Sequence, residues 1–365
     1  MCLSDDIQLS AGNGHIPTWE RHTMRRLRRL IRLVAPLIAL LLLSACGKSA
    51  ASGELAPAES ERLVLYTSHK KEVWWPIVEE FEQRTGVWVE VVEGGTNELL
   101  ERLENEKDVP RADVMFGGGV ESLDACRDLF APYTCAEADR ILPSYRAADD
   151  AWTPFSALPV VLVYNPKLAP AGAVTSWADL LDPAWRGEIA FADPAVSGSC
   201  YTALVTLLSA VDLETDAALR AFSDALDDRQ LAGSGEITAA VSEGASRIGV
   251  TLEETACKRI AAGDELALVY PADGTSCVPD GTAVIAGAPH EENARAFVDF
   301  TISRDVQELL QSALSRRSVR GDLDAPAGLP PLEEIAMVDY DVRWASENRE
   351  ALLMSWEFYF GAEEP

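Results

Sequence analysis

Histidine is scarce in this 365-residue chain: four in all. Chemistry that needs an imidazole as base, acid or metal ligand therefore has few places to start. There is no GxSxG elbow to expose a nucleophilic serine, so an α/β-hydrolase triad is excluded. There is no CxxC and no His/Cys ligand spacing, so neither a zinc site nor a thioredoxin-like centre is expected; we expect no bound metal and no cofactor. A phosphate-binding P-loop is also missing, so the chain is not itself an ATPase. No repeat of solenoid length occurs. Positive charge is the other shortage. Lysine and arginine number 31 against 59 acidic residues, a net of -28. Such a surface repels nucleic acid and anionic membranes, so neither is expected as a partner.

The basic residues that do occur cluster near the start. "MRRLRRLIRL" from Met24 is a basic run, and "LVAPLIALLLLSA", Leu33 to Ala45, is an apolar stretch too short to span a bilayer. It ends in "LSAC", with a small residue before Cys46. Met24 is the expected start of translation, residues 1–45 an extension plus secretion signal, and Cys46 a lipidated first residue. Residues 1–45 hold six arginines and three acidic residues, so the remainder carries 25 basic and 56 acidic side chains, a net of -31. Only His69 and His290 remain in it. Residues 46–61, "GKSAASGELAPAESE" after the cysteine, are small and polar and read as a flexible tether.

Five further cysteines would then sit in an oxidising compartment. Cys126 and Cys135 flank the short loop "CRDLFAPYTC" and are expected to bridge. Cys200 and Cys277 lie in two similar turns and form the second expected pair, although four cysteines allow three connectivities. Cys257 is left as a small buried thiol.

Beyond the tether, strands alternate with helices. "RLVLY", "VWVEVV" and "ADVMF" are strands; the segments between them have helical spacing, with Val73, Trp74, Ile77, Val78 and Phe81 on one face and Pro76 best placed in a first turn. The adjacent Trp74 and Trp75 cannot share that face, so one is expected in the core and the other half-exposed. This order predicts an α/β protein whose parallel sheets are covered by helices. "ALPVVLVYNP" carries the chain toward a second α/β set, "EENARAFVDFTISRDVQELLQSAL" reads as two helices split near Ser303, and the tail from Pro326 is expected to wrap the first lobe. The expected divisions are 62–160 for lobe 1, 161–280 for lobe 2, and 281–365 for a return to lobe 1 with C-terminal helices.

In parallel sheets ligands gather beyond the carboxyl ends of strands. Five turns there combine hydroxyls with glycine: Thr67-Ser68-His69, Gly117-Gly118-Gly119, Ser197 to Tyr201, Ser234-Gly235-Glu236 and Asp273-Gly274-Thr275. Helix starts offer free N–H donors and a dipole that favours anions. Each turn taken alone also reads as an ordinary cap. The expected contacts are Thr67, Ser68, His69 and Gly118 on one side and Ser197, Ser199, Tyr201, Ser234, Gly235, Glu254, Gly274 and Thr275 on the other. Glu254 would accept from a ligand hydroxyl or ammonium, and Asp273 would orient its own turn. His69 is expected to make binding sensitive to pH near neutrality. His290, before a helix, reads as a surface residue.

Several stretches carry a family likeness: "LVLYTSHKKE…FEQRTGVWVEV", "RADVMFGGG", "ADLLDPAWRGEIAFADPAVSGSCYTAL" and "VYPADGTSCVPDGTAVIAGAPHEENARAFVDFTISRDVQELL". In this order, behind the cysteine signal, the chain resembles the substrate-binding lipoproteins of bacterial ABC importers, in the group that takes ferric iron, phosphonates and sugar phosphates. The resemblance covers nearly all of the chain after Cys46. It implies a two-lobed periplasmic-binding-protein fold of type 2, in which crossing hinge strands let the lobes close on a solute. It implies no enzymatic activity, a monomer on a lipid anchor, and delivery to a membrane permease with a separate ATPase. Ferric binders of the group use adjacent tyrosines; "IGVTLEETA" has none at the comparable place, and no Tyr-Tyr occurs in the chain. An organic anion such as a phosphonate or sugar phosphate is therefore the favoured solute, ferric iron the alternative, and a periplasmic hydrolase using His69 the reading from another class.

Overall fold

The computed structural model describes residues 57–360. The signal, Met24, Cys46 and tether residues 46–56 lie outside the described residues. No helix among those described is long and apolar enough to cross a membrane.

Chain order runs β1 (Arg62–Thr67), α1 (Lys71–Thr85), β2 (Trp88–Glu93), α2 (Thr96–Glu106), β3 (Val114–Gly119) and α3 (Val120–Ala125). β1 pairs in parallel with β2 and β3. α1 buries the five residues its spacing predicts, and it stops at Gly86, whose φ of 74° suits a left-handed cap. Pro76 falls in the second turn instead of the first, because the helix already begins at Lys71. Trp74 is buried, hydrogen-bonded through Nε1 to Glu93, and Trp75 is about half exposed under Lys71.

β4 (Thr153–Tyr164) is buried along its whole length and carries the chain across. Beyond it come β5 (Ile189–Ala192), α4 (Gly198–Ala210), α5 (Thr215–Leu226), β6 (Gln230–Leu231), α6 (Ile237–Ser242), β7 (Ile248–Leu252), α7 (Glu253–Ala261) and β8 (Ala267–Val269). β5 pairs in parallel with β6 and β7, while β7 and β8 run antiparallel to the far half of β4. β9 (Cys277–Val284) returns antiparallel to the near half of β4 and to β3. The result is two lobes joined through β4 and β9; each sheet is mixed, not mostly parallel as expected, because β4 and β9 run antiparallel to their neighbours. α8 (Glu291–Ile302) and α9 (Arg304–Leu314) split at Ser303 as the sequence predicts. β10 (Arg317–Ser318), α10 (Val342–Glu347) and α11 (Arg349–Phe360) complete the chain.

One apolar core fills the second lobe, from Val160 through Phe191 and Phe222 to Leu266. Two others fill the faces of the first lobe's sheet, around Phe81 and Phe116 on one side and Leu99 and Leu123 on the other. The tail divides between the lobes. α10 packs on the first, where the Ser346 hydroxyl donates to Asp124 of α3 at 3.1 Å, but α11 does not; Trp356 packs edge-on to Phe191 and tilted to Phe222 of the second lobe, with ring centroids 5.9 Å from each.

The expected disulfides are not formed. Cys126, Cys135, Cys200, Cys257 and Cys277 are all free thiols. Cys126 packs with the Leu99 core and Cys135 lies in the Phe81 core, so the loop between them straddles the sheet. Cys200 is buried in the second lobe, whereas Cys277 packs in the first and meets the Tyr145 hydroxyl. Burial pushes the thiols of Cys135, Cys200 and Cys277 upward, to about 11, 11 and 12.

Candidate functional site

A cavity of about 500 Å³ opens between the lobes, a size suited to a small molecule. Four helix starts reach it. Ser68, His69 and Lys70 precede α1; Gly95 and Thr96 begin α2; Ser197, Gly198 and Ser199 begin α4; Leu252, Glu254 and Thr255 begin α7. Ser234 and Gly235 add a single helical turn before α6. The Lys70 ammonium reaches over to Gly235, 3.9 Å from where a Cβ would stand. No ion pair among the described residues engages it.

The glycine run packs closely behind these turns. Gly117 has φ +110°, and a Cβ there would meet the Ser68 Oγ at 2.6 Å; Gly118 has φ +90°, with the Thr96 methyl 2.7 Å from its Cβ position. Both positions need the left-handed freedom of glycine and the space it leaves.

The floor is charged and buried. Asp280 Oδ1 accepts from the Ser156 N–H and Oγ, each at 2.8 Å, and its Oδ2 accepts from Arg316 at 2.7 Å. The same guanidinium reaches Ser156 Oγ at 2.9 Å and Glu254 at 3.4 Å. Burial raises the Asp280 carboxyl even against the charge of Arg316. His69 Nε2 is 3.6 Å from Asp280 Oδ2 and makes no hydrogen bond of its own. The ring lies against Phe116 and Phe155. Burial, then Arg316, holds it well below the ordinary histidine range, so it is a neutral ring near pH 7. That overturns the expected pH sensitivity of His69.

Of the residues singled out in the sequence, Ser68, His69, Gly118, Ser197, Ser199, Ser234, Gly235 and Glu254 meet at this cavity. The others do not. Thr67 is buried behind it, donating to the Phe116 carbonyl and accepting from the His69 N–H. Tyr201 turns inward, and its hydroxyl donates to the Ala345 carbonyl at 2.5 Å. Thr275 donates to Val160 O at 2.5 Å. Asp273 caps the N–H groups of Trp177 and Ala178, and Gly274 accepts from the Trp177 indole. This turn has ordinary capping duties away from the cleft. His290 is half-buried, tied to Asp113 at 2.9 Å and Glu59 at 3.2 Å.

Arg316, Asp280, Thr202 and Lys70 were absent from the sequence reading. Arg316 sits in "SRRSVR" between a helix and a two-residue strand, and nothing in that spacing marks one arginine as buried. Ser315, at φ 53°, makes the turn that sends it inward.

Comparisons agree with this architecture. The chain is 28% identical to the Fe(3+)-binding periplasmic protein of Serratia marcescens over 274 residues, 72% of this chain and 80% of that one. It is 23% identical to a putative 2-aminoethylphosphonate-binding periplasmic protein of Salmonella typhi over 260 residues, 68% of this chain and 75% of the relative. The periplasmic binding protein of Actinobacillus pleuropneumoniae, solved with fructose-6-phosphate, superposes with a TM-score of 0.76 at 23% identity, covering 83% of this chain and 99% of the other. That establishes the type 2 periplasmic-binding fold. The family described as bacterial extracellular solute-binding protein matches residues 112–341, more than half of the sequence, and the chain belongs to it.

Proposed function

We propose that this chain captures a small organic anion, a phosphonate or sugar phosphate, between its lobes and hands it to the permease of an ABC importer. The observation that carries this reading is the convergence of the α1, α2 and α4 starts on one hydroxyl-rich cavity. Helix N-termini supply free N–H donors to an anion whatever the overall charge of the protein. Lys70 adds an uncommitted cation, and Ser68, Ser199 and Ser234 add hydroxyls. The chain acts as a monomer held to the membrane through lipid on Cys46. Lobe 1 (62–160, with the return from 281) and lobe 2 (161–280) close about β4 and β9, with α11 moving with lobe 2.

The ferric reading has the iron-binding relatives behind it. Against it, no tyrosine among the described residues lines the cavity, and Asp280 and Glu254 are engaged with Arg316. The hydrolase reading has less support, since no hydrogen bond among the described residues joins the His69 ring to a serine hydroxyl. The test is a thermal-shift screen with 2-aminoethylphosphonate, fructose 6-phosphate, inorganic phosphate and ferric citrate. A true solute at about 100 times its dissociation constant adds about 2.7 kcal/mol. Stabilisation by ferric citrate alone overturns the organic reading.

A further inference from the structure

Behind the cleft wall lies a carboxyl that the site described so far does not use. Glu121, second residue of α3 in the first lobe, is wholly buried. Its Oε1 accepts from the Thr202 hydroxyl of α4, across the lobe boundary, and Thr202 lines the cavity. Its Oε2 is buried with no hydrogen-bond partner. Gly119, another cavity-lining residue, lies so close that a Cβ there would stand 2.5 Å from Oε1. The carboxyl is therefore set against the inner side of the wall, beside the first two turns of α4.

We propose that Glu121 is a proton-linked positioning residue, and that the cleft takes up its anionic solute together with a proton on this carboxyl. The inference rests on the anion reading above. An ionised Glu121 would place a negative charge at the base of the helix start that receives the solute. The low dielectric of the wall makes that repulsion strong. Protonation removes it and lets the carboxyl donate to Thr202, whose own hydroxyl then donates to Gly198 O, 3.1 Å away.

No ion pair among the described residues engages the carboxyl. Arg349 of α11 is the nearby cation, but its guanidinium donates to Asn97 at 2.5 Å and lies over the Tyr201 ring at 5.3 Å. Tyr201 of α4 donates to Ala345, and the buried Tyr340 hydroxyl has no partner. Burial pushes Glu121 up to about 7, against the opposing effects of Thr202, its own backbone N–H and Arg349. Because anion binding and protonation favour each other, each must raise the affinity of the other by the same factor. Affinity is then highest below pH 7 and falls as pH rises through the carboxyl's midpoint.

The test has two arms on the folded protein. Carboxyl-carbon NMR of wild type and Glu121→Gln assigns the Glu121 resonance and its midpoint without any solute. A midpoint near neutrality is expected; one in the ordinary carboxylate range, below about 5, overturns the proposal. Calorimetry then follows fructose 6-phosphate and 2-aminoethylphosphonate from pH 6 to pH 9. The phosphate's own second ionisation, near pH 6, is common to every variant, so the readout is the difference from Glu121→Gln. Wild type should lose up to about tenfold in affinity per pH unit above the midpoint, relative to that variant. Proton uptake, read in buffers of different ionisation enthalpy, should be greater by up to one per solute. Parallel profiles overturn the coupling even if both solutes bind. If neither solute binds at any pH, the anion reading fails and the coupling falls with it. Should Glu121→Gln misfold, Thr202→Val serves: losing its hydrogen bond should move both the midpoint and the break in affinity to higher pH.

Discussion

Arg316 is the residue on which the site floor depends. It and Asp280 are both almost wholly buried, joined at 2.7 Å, with Ser156 and Glu254 completing the network. Removing one partner of such a pair leaves an uncompensated charge, at a cost of about 3–5 kcal/mol. Arg316→Met should show that loss in urea unfolding at pH 7, and adding Asp280→Asn should restore part of it. No recovery in the double variant would mean that packing, not charge, gives Arg316 its importance. His290 makes a pH-dependent case. Burial works against its cation, but the hydrogen bonds and charges of Asp113 and Glu59 raise it above 6.5. A raised histidine stabilises fully below its unfolded value and loses that contribution as pH rises through the folded one. The stability gap between wild type and His290→Gln should thus be widest below pH 6.5 and shrink above it; a gap that widens with pH would contradict the assignment. Neither residue was legible in this role. The value of Arg316 comes from Asp280, 36 positions away, and sequence spacing carries no trace of such a pairing.

Elements were more legible, because their signals are local. The spacing of Val73, Trp74, Ile77, Val78 and Phe81 specifies α1, and the hydroxyl and glycine turns stand where strands end. Seven of the residues picked from those turns line the cavity for this reason. The Asp273 turn has the same residue types but faces Trp177, since composition cannot say which end of a strand faces a cleft. The tail shows the same limit. The aromatics of α11 announce a buried face, yet periodicity does not choose the lobe. Trp356 is 2% exposed, between Phe191 and Phe222. Trp356→Ala should cost about 3–5 kcal/mol. Hydrogen exchange should locate the loss in β5 and α5, with β1 and β2 protected as before. Equal loss in both lobes would mean that α11 holds the lobes together and does more than complete one core.

For the whole molecule the question is what holds the lobes in contact. Several bonds run between the lobes. Near β4 the buried Arg317 holds Glu253 at 2.8 Å and Arg316 reaches Glu254; elsewhere Asn97 donates to the Ala195 carbonyl and accepts from Arg349, and Thr202 donates to Glu121. At the mouth, Lys258 of α7 meets Glu72 of α1 at 2.5 Å. The mouth pair is nearly half exposed on both sides, so solvent screening leaves it worth about 0–1 kcal/mol. A link that weak can bias an open–closed equilibrium but cannot fix it. Reversing one charge should therefore weaken solute binding, by about two- to fivefold in Lys258→Glu. The reciprocal swap, Glu72→Lys with Lys258→Glu, should restore it. Small-angle scattering should show Lys258→Glu expanded before solute is added and as compact as wild type at saturation. If the single reversal leaves affinity unchanged, the mouth pair is incidental. If the solute fails to compact either protein, closure is not how the cleft retains it, and the fixed cavity wall must supply the affinity alone.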